Sequence, residues 1–155
     1  MFKNRLKSVA AVSLLLLVLI TAGCGGGSGL QRIAGLSPEN VVKTFFNAAR
    51  DGRFNEAGLY VSAASKSDAQ TVMKFITGQS GLEQFKNSNL LSVKQVAQQG
   101  DYTVMVATLQ DQNSFKITVK PVALEKVDGE WYIVDTNQIY QDAKYKILQQ
   151  LLANI

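Results

Sequence analysis

The most specific chemistry in this sequence rests on one thiol. Cys24 is the single cysteine among 155 residues, and it directly follows Thr21, Ala22 and Gly23 and the apolar run VAAVSLLLLVLI at 9–20. A lone cysteine excludes an intramolecular disulfide and a cysteine-based zinc site. The chain has no histidine, which excludes an imidazole metal ligand, a Ser–His or Cys–His pair and an imidazole pH switch. Carboxylates remain. Asp101, Asp111 and Asp128 fall in turn sequences, where the ordinary role of Asp is to accept hydrogen bonds from the turn backbone. Asp135 ends a predicted strand and is the best-placed acid, and Glu83 precedes the sheet. Burial can raise a carboxylic acid's pKa until it donates a proton. No set of partners assembles around any of these acids, so no catalytic residue, metal site or cofactor is expected. Phe46, Tyr60, Tyr102 and Trp131 are the candidate lining of a ligand pocket, although aromatics at such spacings also serve as plain core. Trp131 and Tyr132 are adjacent in a strand pattern and must face opposite sides.

The charge is unevenly distributed. Lys3, Arg5 and Lys7 are the only charged residues before Arg32. Removing residues 1–23 takes away three of 16 bases and none of the 12 acids, so the net charge falls from +4 to +1. The remaining bases form no run that would follow a phosphate backbone, and no nucleic-acid partner is expected. A basic start, a short apolar core and small residues before a cleavage point define a secretory signal. A membrane-spanning helix needs about 20 apolar residues, and this core is shorter and ends in glycines.

Ile20-Thr21-Ala22-Gly23-Cys24 resembles the lipobox of bacterial lipoproteins, with Thr21 where leucine is commonest. The resemblance implies a diacylglyceryl group on the Cys24 thiol, palmitate among the acyl chains, and cleavage between Gly23 and Cys24. It implies a mature protein held by lipid on the cell envelope, at the outer membrane or the outer face of the cytoplasmic membrane. Gly25, rather than Asp, after the cysteine permits the outer membrane. The composition GGGSG at 25–29 is that of a flexible linker, and it follows no strand and opens no helix, unlike a phosphate-binding loop. The expected organisation is a signal over 1–23, an acylated tether over 24–36 and one domain over 37–155.

The elements of that domain follow from local rules. Ser37 can cap a helix, Pro38 suits its first position and Glu39 its first turn. Val41, Val42, Phe45, Phe46 and Ala49 then recur at helical spacing, and Asp51-Gly52 stops the run. Shorter helices are predicted over 55–61 and 68–77. From residue 90 the period becomes two, which predicts strands over 90–98, 102–110, 115–126 and 131–135. Asp128-Gly129 is a type I′ hairpin signal. Pro121 lacks an amide proton, so its strand is expected to be an edge or bulged there. Residues 140–155 read as a final helix with Ile147, Leu148, Leu151, Leu152 and Ile155 on one apolar face, expected to pack on its own domain. The fold class is α+β: N-terminal helices on a curved four-stranded antiparallel sheet, plus a C-terminal helix.

The segments SPENVVKTFFNAARDGRFNEAGLYVS and LEKVDGEWYIVD resemble the helical entry and last hairpin of the cone-shaped fold of nuclear transport factor 2 and ketosteroid isomerase. Small bacterial lipoproteins of unknown function carry such pieces. A cystatin-like sheet wrapped on one helix is the alternative. Three functions stand open. The first is a lipid-anchored, non-catalytic module binding a small apolar ligand or an envelope partner. The second is an assembly protein using the terminal helix or a sheet face, with a homodimer among the possible partners. The third is an isomerase, cyclase or hydrolase. A closed apolar cavity with a buried acid favours the third. A filled interior with an exposed apolar patch favours the second.

Overall fold

The computed structural model describes residues 29–65 and 67–155. The signal, Gly23, Cys24 and the glycines before Gly29 lie outside them. Helix α1 spans Pro38–Arg50 and opens as the sequence predicts: Ser37 Oγ accepts a hydrogen bond from the Asn40 amide at 3.3 Å. Gly52 follows at φ +80°, and a β-carbon there would sit 3.2 Å from the Leu82 side chain. The positive φ favours glycine here, and any larger residue would also have to displace the Leu82 side chain slightly. Phe45 and Phe46 are both fully buried. The helix is enclosed by sheet on one side and by other helices beside it. Phe45→Ala or Phe46→Ala is expected to cost about 3–5 kcal/mol from lost burial and a residual cavity. Ser37→Ala is expected to cost only about 1 kcal/mol. Urea unfolding of the three variants checks the ranking.

Helix α2 (Phe54–Gly58) is shorter than predicted. The chain after it straightens, and Val61 makes a parallel bridge to Ile133. Helix α3 (Ala69–Thr77) is capped by Asp68, which accepts from the Thr71 amide at 2.7 Å. A fourth helix, α4 (Leu82–Lys86), was not predicted. It carries one buried residue, Phe85, set edge-on to Phe54 at 6.2 Å, and five residues are too few to show a period.

Strands β1 (Ser88–Gln99), β2 (Tyr102–Asp111), β3 (Ile117–Val127) and β4 (Glu130–Val134) form an antiparallel meander in that order. Register shifts at Leu90/Ser92 and Gln95/Ala97 mark bulges in β1, which bend a strand and increase its twist. Asp128 and Gly129 both have positive φ, as a type I′ turn requires. The predicted start of the third strand at Phe115 is corrected. Phe115 sits in the preceding turn at φ +57° and is 70% exposed. Asp111 organises that turn by accepting hydrogen bonds from the Asn113 and Ser114 amides.

The place of Pro121 has a geometric reason. The Asp111 amide donates to Lys116 O and the Lys126 amide to Asp101 O, so even-numbered residues of β3 turn their backbone groups toward β2. Odd-numbered residues turn theirs the other way. There β4 pairs only with 123–127 of β3. Pro121 thus lacks its N–H on the open side, where no ladder bond is lost, and the expected edge is found.

Both faces of the sheet are covered at the β4 end. The larger core joins α1, α3 and α4 to Val93, Met105, Ala107, Leu124 and Trp131. The second, on the opposite face, gathers Val104, Ala123 and Val134 under Ile139, Tyr145 and Leu148. The predicted helix over 140–155 is corrected to three pieces: α5 (Thr136–Gln141), a 3₁₀ turn (Ala143–Tyr145) and α6 (Lys146–Ala153). Asp142 makes the break. It is extended, and its carboxylate accepts from the Lys144 amide at 2.9 Å, a local bond that competes with helix continuation. Of the predicted apolar face Leu148 alone is fully buried, Leu151 and Leu152 are partly so, and Ile155 is exposed. The segment does pack on its own sheet.

Candidate functional site

The outer edge of β4 is closed by the N-terminal half of the chain. Ile133 donates to Tyr60 O and accepts from the Ser62 amide, each at 2.8 Å. One residue pair further along, a side chain takes over: Arg32 donates to Trp131 O at 2.6 Å and pairs with Glu130. Its guanidinium lies 4.6 Å from the Tyr132 ring centre and 5.2 Å from that of Tyr60, close enough for cation–π attraction to both. Glu130 also accepts the Gly35 amide at 2.8 Å, and Tyr60 OH accepts the Ile33 amide at 3.2 Å.

Arg32, Ile33 and Gly35, which precede the domain expected to begin at Ser37, are therefore bonded to it. The Gly35 amide, and then Arg32, hold the Glu130 carboxyl below its ordinary 4.5. A depressed carboxyl contributes stability above that value and loses it as pH falls through the lower folded pKa. Acidification below 4.5 is expected to release residues 32–36 before the sheet unfolds. An NMR titration showing the Gly35 amide moving together with the core amides would contradict this.

A second polar cluster lies under the C-terminal segment. The Glu125 side chain is 3% exposed. It accepts from Ser62 Oγ and from Tyr145 OH at 3.1 Å, and it pairs with Lys144 at 2.6 Å. Burial, then the Glu125 charge, pushes the Tyr145 hydroxyl up, and the bond to Glu125 raises Lys144. Three stretches distant in sequence meet on one carboxylate. It borders none of the three surface clefts below, which suits a crosslink rather than a general base. Sequence reasoning missed it. The available signal was an acid at the phase of Ala123 in β3, beneath an apolar C-terminal segment that needed a sheet face to cover.

Three of the four predicted pocket residues share one core, and the fourth does not join them. Phe46, Tyr60 and Trp131 pack in the larger core, while Tyr102 lies on the other face, edge-on to Tyr145 at 6.4 Å. None of the four lines the surface clefts. One cleft, of about 260 Å³, lies between α3 and α4. A second, of about 460 Å³, lies beside α2. A third, of about 220 Å³, lies between the end of α3 and the start of β3 and is lined by Thr77, Gln79, Asp111, Lys116 and Lys120 among others. Asp135 is buried, accepts from Ser67 Oγ at 2.8 Å and leads into α5. Glu83 is exposed and pairs with Lys86. Asp101 and Asp128 stand in turns.

The uncovered part of the sheet is the remaining feature. Ile117 and Val119 are exposed apolar residues at the start of β3, ahead of the part that pairs with β4, and Phe115 is exposed in the turn before them. Compared with family models, with characterised proteins and with solved structures, the chain matches none.

Proposed function

We propose that this protein is a lipid-anchored, non-catalytic interaction module of the bacterial cell envelope. The observation that carries the reading is the position of Cys24: behind an export signal, and only eight residues before Arg32, where the domain begins. Two acyl chains on one thiol make such anchoring stable, because each buried methylene contributes about 0.8 kcal/mol. The Arg32 clamp supports the reading. It fastens the tether to β4, so a pull on the lipid is borne by the sheet. The order of helices before a meander supports the kinship with the cone-fold lipoproteins.

An interior small-molecule site is disfavoured, since the aromatics that would line it are core. Exposed apolar residues on β3 favour a protein partner. Mass spectrometry of the protein from its membrane tests the anchor. The expected N-terminus is Cys24 carrying a diacylglyceryl group, and a mature chain still containing residues 1–23 overturns it.

A further inference from the structure

We propose that the open edge of β3 over 117–121 is a docking site for an extended segment of a partner protein, with apolar and acidic residues in alternation. The proposal deepens the reading of the chain as an interaction module. Its first ground is backbone chemistry. Ile117 and Val119 each direct an N–H and a C=O away from β2, and Pro121 directs a C=O, with no strand opposite them among the described residues. An exposed edge of this kind is a template for one more strand. Pro121 limits it to a short segment.

The side chains say what such a strand must carry. Ile117 and Val119, at 50% and 58% exposure, share the face of Val106 and Pro121, which an incoming apolar residue would cover. Lys116, Thr118 and Lys120 alternate with them and line the cleft beside α3. Neither lysine makes an ion pair among the described residues. Lys120 lies over the Phe75 ring at 5.5 Å. Asp111, the acid of that cleft, is occupied by its own turn and by Gln79. Acidic residues in the incoming strand would meet the two lysines.

Two other occupants fit less well. Two copies paired symmetrically about Val119 would set Lys120 of one diagonal to Lys116 and Lys120 of the other, and like charges at that spacing repel. A lipid surface is poorly placed. The clamp sits at the Val127–Glu130 end of β3, and the open edge lies roughly 20–34 Å along the strand from it, away from the anchored end.

The test uses the full chain and a capped nine-residue peptide of alternating glutamate and valine, with a lysine–valine peptide as the control. Anisotropy titration is expected to show the acidic peptide bound and the basic one at least tenfold weaker. Hydrogen exchange is expected to slow at the Ile117 and Val119 amides, while Thr118 and Lys120, which face β2, stay unchanged. Val119→Pro removes an outward N–H that serves no ladder bond, and should weaken binding roughly tenfold. Lys116→Glu with Lys120→Glu keeps the backbone intact and should reverse the preference between peptides, even if the proline variant fails to fold. Equal binding of both peptides, or no binding at millimolar concentration, overturns the proposal. So does a folded Val119→Pro that binds normally, a dimer lost in that variant, or Lys116- and Lys120-dependent binding to anionic vesicles. Repeating the titration with Cys24→Ser separates this question from the anchor, because the edge does not depend on acylation.

Discussion

Cys24→Ser is expected to move the protein from the membrane pellet to the soluble fraction, or to leave an unprocessed precursor. A serine hydroxyl does not form the thioether, so the variant loses every acyl chain that depends on it. One myristoyl-sized chain gives only marginal, reversible membrane binding, and a second makes it stable. Losing both changes partitioning by orders of magnitude. The described domain begins beyond this position, so its melting temperature should be unchanged in Cys24→Ser. A palmitate label persisting in the variant, or a variant shortened to residue 24 that still remains in the pellet after a carbonate wash, would refute lipid anchoring through this residue.

The second large effect is at Tyr145. This side chain is fully buried and ends on Glu125. Tyr145→Ala removes an aromatic from the second core, at about 3–5 kcal/mol. It also takes a hydrogen bond from a buried carboxylate, at about 1.5–3 kcal/mol. The combined loss is on the order of 5 kcal/mol or more, comparable to the whole stability of a small domain. Tyr145→Phe keeps the ring and loses only the hydroxyl, so its cost should be the smaller figure alone. Denaturant unfolding of the pair separates packing from hydrogen bonding.

The pH dependence follows in sign. Tyr145 and Lys144 are both raised above ordinary values of 10.0 and 10.5. A raised folded pKa contributes stability that is full below the ordinary value and is lost as pH climbs through the folded one. Wild type is therefore expected to lose its advantage over Tyr145→Phe above pH 10. A difference that stays constant to pH 11.5 would show that the hydroxyl does not titrate as the geometry requires.

Local physics made much of this protein legible from its residues. The Ser37 cap, the α1 stripe, the change to period two at the sheet and the Asp128-Gly129 hairpin each depend on a few neighbouring residues. Each appears where the sequence places it. The edge at Pro121 was legible for the same reason, since a missing N–H restricts where a strand can put it. The candidate sites were not legible. Arg32 reads as an isolated base in a linker, and only the folded chain brings it to Glu130, Tyr60 and Tyr132. Glu125 reads as a surface acid until β3 turns it toward Ser62 and Tyr145. Asp142 looks like an ordinary helix residue, and its capping bond to Lys144 breaks the run that periodicity joins. Whether the aromatics enclose a cavity or fill it depends on how side chains from distant segments interdigitate, which no spacing along the chain encodes. The sequence alone determined most of the elements and their order. Tertiary packing decided which polar groups meet and, among the described residues, left β3 without an outer partner before Ala123.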